Sequence, residues 1–326
     1  MILDALEEFG LVKPLSEAGF YATDKIKRLQ DKIKNLALNY GSLIAVSGTV
    51  GSGKTTFINQ LMRDLKKEGK CIVSYSYSSD REGVNVKTLL TALLIDLNKS
   101  DKPAQISTSP EIRDRNFVKL MEENNKPVVL FIDEAQDLHG NTLSSLKKLS
   151  EMAKLSGQTL TIVLAGQPKL KNTIRSSKME EIGSRSYVID LDEQIIGKKD
   201  HYLQWAIAQC IIKDKKWSEV ITAEALSHLT ANLITPLQII SHFNRALEIG
   251  FTAGVKPISK EVIEQVLKPF GSLIESKYAR SGYRISTLAK ILHTSEKEIN
   301  QWFLGKLPEL RVAEIHNALE QANVII

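Results

Sequence analysis

Apolar and polar positions follow two different patterns along this chain. Over about the first 190 residues, short apolar runs alternate with longer segments in which apolar residues recur every three or four positions. The runs have strand length, the spaced segments have the period of one helix face, and both kinds predict secondary structure directly. The strand-like runs are 43–47, 71–77, 127–132, 159–164 and 187–191. The helix-like segments between them are 24–40, 55–67, 86–97, 110–124 and 141–155.

The strand-like runs stop near residue 196, and only helical periodicity continues after it. Helices are predicted at 200–212, 222–233, 236–253 and 259–267. Strands that alternate with helices indicate a parallel sheet covered by helices on both faces. We therefore predict an α/β fold with four parts: a sheet domain with an N-terminal extension (1–195), an all-helical lid (196–270), a linker (271–282) and a small helical unit (283–326).

A glycine-rich turn connects the first predicted strand to the helix that follows. Residues 48–55 read Gly-Thr-Val-Gly-Ser-Gly-Lys-Thr and match the P-loop pattern GxxxxGK[ST] in the required strand–turn–helix context. Backbone N–H groups of such a turn and the helix N-terminus bind phosphate oxygens. We expect Lys54 to reach the β- and γ-phosphates of ATP and the Thr55 hydroxyl to bind Mg²⁺. The expected nucleotide-binding residues are Gly48, Thr49, Val50, Gly51, Ser52, Gly53, Lys54, Thr55, Thr56 and Asp133.

Two carboxylates follow the most apolar strand, a glutamine follows the next strand, and an arginine precedes the last one. Asp133 is predicted to hold the Mg²⁺ shell, and Glu134 to polarise the attacking water. Gln167, at the end of the following strand, is predicted to position that water, although it also fits a plain turn residue. An arginine at the far edge of the domain can reach a neighbouring subunit's phosphate. We expect this arginine to be Arg185, with Arg175 or a surface ion pair as the alternatives.

Charge, cysteine positions and the lengths of the apolar runs restrict the possible partners and the cellular location. The formal charge of +5 permits a polyanionic partner without requiring one. Cys71 and Cys210 lie in apolar periodic segments without a CxxC motif, as expected for core residues in a reducing compartment. The first ten residues lack the pattern of a signal peptide. The apolar runs are far shorter than the roughly 20 residues of a membrane span. We expect a cytoplasmic protein without a membrane segment.

The last predicted unit has the pattern of a helix-turn-helix. Leu288, Ala289 and Leu292 form the inner face of a first helix, Ser295 caps a second, and Ile299 packs back. Residues 271–326 contain seven Lys or Arg and six Glu, so this end of the chain is nearly neutral. Exposed carboxylates at the start of the second helix would oppose phosphate. Binding of DNA and docking of a protein therefore both stay open, and the candidate DNA contacts are Lys297, Asn300, Gln301 and Lys306.

These motifs together resemble the AAA+ branch that holds ExeA/GspA-type ATPases and the transposition ATPases TniB, TnsC and MuB. Residues 9–11 read Phe-Gly-Leu, residues 133–136 read Asp-Glu-Ala-Gln, and residues 166–168 read Gly-Gln-Pro, as in the ExeA-like group. The resemblance implies an AAA+ core with a helical lid and the nucleotide at a subunit interface, so we expect a homo-oligomeric ring or filament. It also implies DNA contacts from the loops after the second strand, where the candidates are Arg81, Lys87 and Lys99.

One position departs from this resemblance. The lid of these ATPases usually carries an arginine just after a proline, but residues 234–238 read Ile-Thr-Pro-Leu-Gln, and Arg245 lies two helical turns further on. Sensing of ATP through the lid is therefore in doubt. The favoured interpretation is an ATP-dependent DNA-binding regulator that recruits or activates a transposase or recombinase. The alternatives are a secretion, conjugation or defence ATPase that acts through protein partners without DNA.

Overall fold

The computed structural model describes residues 2–76, 86–98, 107, 109–176, 179, 183, 186–192, 199–267 and 273–324. These residues divide into two compact units. The sheet unit consists of Asp24–Gly48, Lys54–Asp190 and Lys277–Ile326. The lid unit consists of Met1–Thr23, Thr49–Gly53 and Leu191–Ser276.

The sheet unit is built on five parallel strands, as the alternating pattern predicts. The strands are β1 (Leu43–Ser47), β2 (Ile72–Tyr75), β3 (Val128–Ile132), β4 (Leu160–Gly166) and β5 (Ser186–Asp190), in the order β2-β3-β4-β1-β5. Every residue of β1, β3 and β4 is buried, which explains why these strands are continuous apolar runs. Strand β1 pairs with β4 and β5, so the P-loop strand is the neighbour of the strand that precedes Gln167.

Between residues 24 and 175, the described part of the chain forms six α-helices beside the sheet. They are α2 (Asp24–Asn39), α3 (Lys54–Glu68), α4 (Val86–Leu97), α5 (Pro110–Asn124), α6 (Gly140–Leu155) and α7 (Pro168–Arg175). Leu89 and Leu93 of α4 join Leu143 and Leu146 of α6 in one core with alternate residues of β3 and β4. Each of these four leucines lies on the apolar face that the sequence period indicates.

The lid unit is helical and includes the N-terminus. Its helices are α1 (Ile2–Glu8), α8 (Lys199–Cys210), α9 (Ala223–Asn232), α10 (Pro236–Ala253) and α11 (Lys260–Leu267). Ala5 and Phe9 are buried in the same core as Phe243 of α10. Residues 1–23 therefore group with the lid, whereas the predicted boundaries assign them to the sheet domain. The physical reason is that α1 is too short to bury its own apolar side chains and packs them on the lid helices.

The C-terminal part of the sheet unit is a set of short helices. They are α12 (Leu273–Arg280), α13 (Ile285–Ile291), α14 (Glu296–Phe303) and α15 (Glu309–Gln321). Leu288, Ala289 and Ile299 are buried, and the Ser295 hydroxyl accepts a hydrogen bond from the Glu298 N–H (3.2 Å). Residues 273–280 of the predicted linker form the helix α12. The centroids of the Tyr278 and Trp302 rings are 5.1 Å apart. This tertiary contact stabilises a helix that the local sequence does not predict.

None of the described helices is both long enough and apolar enough to cross a bilayer.

Candidate active site

The P-loop begins where β1 ends and leads into α3. Gly51 and Gly53 have φ angles of +83° and +90°, a region of backbone space that glycine adopts at little cost. The Lys54 side chain is buried, and its ammonium donates a hydrogen bond to the Gly48 carbonyl (2.7 Å). At the start of the loop, the Gly48 N–H donates to the Gly166 carbonyl and continues the pairing of β1 with β4.

In the lid unit, the P-loop residues 49–53 contact an acidic side chain that sequence reasoning did not identify. Asp192 accepts hydrogen bonds from the Thr49 N–H (2.8 Å) and from the Thr49 hydroxyl (3.2 Å). The only sequence signal for this contact is an acidic residue two positions after β5. Asp192 thus helps to hold the first turn of the loop.

The lid also contacts the P-loop directly, at the position where the resembling ATPases carry an arginine. The Leu237 N–H donates to the Gly51 carbonyl (3.2 Å), and a β-carbon on Gly51 would lie 2.5 Å from the Leu237 β-carbon. The Thr235 hydroxyl lies beside this contact, 3.0 Å from the same β-carbon position. Arg245 is exposed on α10. Gly51 is therefore required both by its φ angle and by the close approach of the lid.

Two of the predicted site residues lie in contact, Thr55 at the start of α3 and Asp133 directly after β3. The Thr55 hydroxyl donates a hydrogen bond to Asp133 Oδ2 (2.9 Å), and Asp133 Oδ1 accepts one from the Glu134 N–H (2.8 Å). Hydroxyl and carboxylate oxygens are the ligands that Mg²⁺ takes together with substrate phosphates. The buried Ser52 hydroxyl has no hydrogen-bond partner among the described residues, which leaves it available to a phosphate. The residues present therefore fit ATP with Mg²⁺.

Glu134 lies in a short turn with Gln136 and close to the end of β4. Glu134 has a φ angle of +54°, and its carboxylate accepts a hydrogen bond from the Gln136 amide (2.7 Å). The other end of the same amide accepts a hydrogen bond from the Gln167 N–H (3.0 Å). Gln136 appeared in the sequence only as part of a motif, and its contacts became visible only in the fold.

Gln167 is covered by the start of the C-terminal helices. The Lys169 N–H donates to the Ser281 carbonyl (3.2 Å), and the Asn172 amide donates to the Tyr283 hydroxyl (2.7 Å). A β-carbon on Gly282 would lie 2.7 Å from Gln167 Oε1, an atom that is buried and has no hydrogen-bond partner among the described residues. Burial raises the pKa of the Tyr283 phenol, so this hydroxyl stays protonated in its contact with α7.

The remaining predicted residues are either exposed or outside the described part of the chain. Arg81, Lys99 and Arg185 lie outside the described residues. Arg175 is exposed at the end of α7. The exposed lysines that were predicted to bind DNA are Lys87, Lys297 and Lys306, and the exposed P-loop residues include Val50 and Thr56.

One carboxylate of α14 is paired, which corrects the expectation of exposed carboxylates opposing phosphate there. Arg311 Nε donates a hydrogen bond to Glu298 (2.7 Å), and the Thr294 hydroxyl also donates to it. The hydrogen bond from Arg311 has the larger effect and that from Thr294 the smaller, and both hold the pKa of the Glu298 carboxyl below its usual range. Glu296 stays exposed on the same turn. The negative charge that α14 offers to solvent is therefore smaller than its sequence indicates.

Acidification is expected to loosen the C-terminal helices through this pair. Because the pKa of Glu298 is lower in the folded state, its pairing stabilises the fold above the ordinary glutamate pKa of about 4.3. The stabilisation is lost as the pH falls through the folded-state value. Hydrogen exchange of residues 285–321, followed from about pH 6 to pH 3, would measure this. Glu298→Gln is the matched control, and equal acid sensitivity of the two chains would refute the assignment.

Three comparisons with known proteins agree with this fold. Residues 38–174 match the family described as AAA domain. The chain is 26% identical, over 85% of its length, to general secretion pathway protein A of Aeromonas hydrophila, and spans about half (50%) of that relative. Cdc6p of Pyrobaculum aerophilum aligns with a TM-score of 0.55 and 18% identity over 96% of this chain and 91% of its own. Drosophila ORC bound to DNA aligns with a TM-score of 0.52 and 15% identity over 100% and 85%.

The fold is that of an AAA+ P-loop ATPase. The predicted parallel sheet, the P-loop class of the enzyme and the helical region after the sheet are thereby confirmed. At these identities the solved structures establish the fold alone, so the roles of individual residues stay predictions.

Proposed function

We propose that this protein is a Mg²⁺-dependent ATPase that assembles as a homo-oligomer on duplex DNA and regulates transposition or recombination by recruiting or activating a transposase. The observation that carries the ATPase part is the hydrogen bond from Thr55 to Asp133 (2.9 Å), with Glu134 directly after it. This contact joins the P-loop helix to the acidic strand end, and the two groups are suited to share one metal ion.

Each site residue has a distinct role in this proposal. Lys54 binds the β- and γ-phosphates, and Thr55 and Asp133 hold Mg²⁺, which neutralises phosphate charge when bound. Glu134 takes a proton from the attacking water. Gln167 hydrogen-bonds that water from the neighbouring strand. The side chains thus divide phosphate binding, metal binding and proton transfer among separate groups.

The oligomer rests on sequence and on the resemblance to AAA+ ATPases. Arg185 is the proposed finger that reaches the nucleotide of a neighbouring subunit, and such an arginine is worth about 10³–10⁵ in rate in other P-loop enzymes. Arg175, which is exposed at the end of α7, is the second candidate. Loss of turnover on dilution below the assembly concentration would support catalysis across a subunit interface.

Three observations support DNA as a partner. Lys87, Lys297 and Lys306 are exposed and suited to phosphate contacts. Arg311 neutralises Glu298 on α14. The fold is also similar to that of ORC, which was solved bound to DNA. The contact of Gly282 with Gln167 offers a route by which a partner of the C-terminal helices alters ATP turnover.

A secretion-type ATPase is the second candidate. It is favoured by the similarity to general secretion pathway protein A of Aeromonas hydrophila. In that case the C-terminal helices dock a protein, and duplex DNA changes neither turnover nor assembly. A defence-system ATPase whose C-terminal helices dock an effector would behave in the same way.

The test measures ATP turnover and particle size together, with and without duplex DNA, at two salt concentrations. We expect DNA to raise turnover and to enlarge the particles in the presence of ATP. Lys297→Ala and Lys306→Ala should each reduce the slope of log affinity against log salt by about 0.9 if the side chain contacts a phosphate.

Lys67→Ala is the matched control, because Lys67 is also an exposed lysine and lies outside the proposed surface. It should leave the slope unchanged. If DNA alters neither turnover nor particle size, the DNA-regulator proposal is wrong, and the search turns to a protein partner of residues 283–326.

A further inference from the structure

The Gln136 side chain lies between two parts of the candidate active site. Its Nε2 donates to the Glu134 carboxylate (2.7 Å), and its Oε1 accepts from the Gln167 N–H (3.0 Å). A backbone N–H can only donate and an ionised carboxylate can only accept, so the partners determine which end of the amide is nitrogen. The side chain is buried, and its hydrogen bonds are therefore shielded from competing water.

The surrounding backbone keeps the amide in this place. Residues Ala135–Asp137 form a tight 3₁₀ turn after Glu134, which has a positive φ angle. The turn packs against the end of β4, where a β-carbon on Gly166 would lie 2.9 Å from Gln136 Oε1 and 3.1 Å from the Gln136 backbone nitrogen. A β-carbon at position 166 would therefore displace the Gln136 amide, whereas glycine leaves room for this packing.

We propose that Gln136 is a positioning residue for ATP hydrolysis, which orients the Glu134 carboxylate and ties it to the strand end that carries Gln167. The inference rests on the proposed role of Glu134 as the base. A carboxylate on a long side chain loses rotational freedom when a fixed donor holds one oxygen, and the second oxygen is then aimed at a defined place. Because the same amide binds the Gln167 backbone, the base and the water-positioning residue keep one mutual geometry.

Two substitutions separate the contacts of Gln136. Gln136→Met keeps the length of the side chain and removes its hydrogen bonds to Glu134, to Gln167 and, at 3.3 Å, to Asp137. Gln136→Glu keeps an acceptor for the Gln167 N–H and removes the donor to Glu134. Each is expected to lower kcat by about 10- to 100-fold, as misplacement of a reacting group by an ångström does, with little change in the KM for ATP. A purely structural role would instead lower the melting temperature and affect binding and turnover together.

Gln30→Met is the matched control. Gln30 is a buried glutamine of α2 in the same unit, and its Nε2 has no hydrogen-bond partner among the described residues, so the substitution should leave kcat unchanged. If Gln136→Met does not fold, Gly166→Ala supplies a second variant, because its β-carbon would press on the Gln136 amide and on the Leu170 side chain without changing any polar group. It should show the same fall in kcat at a retained KM.

The outcomes distinguish this inference from the proposed function. If Glu134→Gln hydrolyses ATP normally, the assignment of the base fails. If Glu134→Gln is inactive but Gln136→Met turns over as the wild type does, or faster, only the positioning role is overturned. A rise in KM at unchanged kcat would overturn it as well, because Gln136 would then act on nucleotide binding.

Discussion

Replacing Lys54 with alanine is expected to abolish ATP binding at concentrations that saturate the wild type. The Lys54 ammonium is buried at the start of α3 and hydrogen-bonded to the Gly48 carbonyl, so it already lies within the turn of the P-loop. Hydrogen bonds to charged groups are worth about 1.5–3 kcal/mol each. Two such bonds to the phosphates correspond to at least about a 100-fold loss of affinity, at 1.4 kcal/mol for each tenfold change.

Titration with a fluorescent ATP analogue, or calorimetry, measures this loss. The fold should survive, because the hydrogen bond that Lys54 donates to the Gly48 carbonyl contributes only about 1.5–3 kcal/mol and the sheet unit keeps its buried apolar core. Lys67→Ala, at the other end of the same helix, is the control for removing a lysine from α3. Wild-type affinity in a folded Lys54→Ala chain would rule out the P-loop lysine as the phosphate ligand.

Glu134→Gln is expected to keep ATP binding and to lower kcat by about 10²–10⁴-fold, the usual contribution of general base catalysis. The amide has the same shape as the carboxylate, and its oxygen can still accept the hydrogen bond from Gln136. The turn between β3 and α6 should therefore keep its structure. Only the ability to accept a proton from water is lost.

Single-turnover kinetics at saturating ATP separates the chemical step from binding and product release. Asp137→Asn is the matched control, because Asp137 is a second carboxylate of the same turn, 3.3 Å from the Gln136 amide. It should retain turnover. Wild-type hydrolysis by Glu134→Gln would show that another group acts as the base, and Glu134 would then be a structural residue of the turn.

Much of the fold follows from local patterns in the sequence. The predicted bounds of β1, α4 and α5 agree with the structure residue by residue, at Leu43–Ser47, Val86–Leu97 and Pro110–Asn124. These elements have a clear period and clear ends, such as Pro110 in the first turn of α5 and Asn125 in a left-handed conformation after it. Local steric and solvation preferences are sufficient to predict elements of this kind.

The chemistry of the candidate site could be predicted for the same reason. Gly53 must adopt a positive φ angle for the loop to turn, and Lys54 and Thr55 must follow at the helix start, so the motif records a local backbone geometry. A buried parallel strand ends at Ile132, and its carboxylate at Asp133 must then lie at the edge of the sheet where ligands bind. Each inference needs only one strand or one turn and its immediate neighbours.

What the sequence by itself determined is therefore the strand–helix alternation, the P-loop and the order of the acidic residues. Only the tertiary structure decided that Asp192 holds Thr49, that Gln136 joins Glu134 to Gln167, and that Gly282 covers Gln167. These contacts join residues that are far apart in the chain or that meet only through strand pairing. Their formation depends on how whole elements pack to bury apolar surface, and no local spacing of residues records that arrangement.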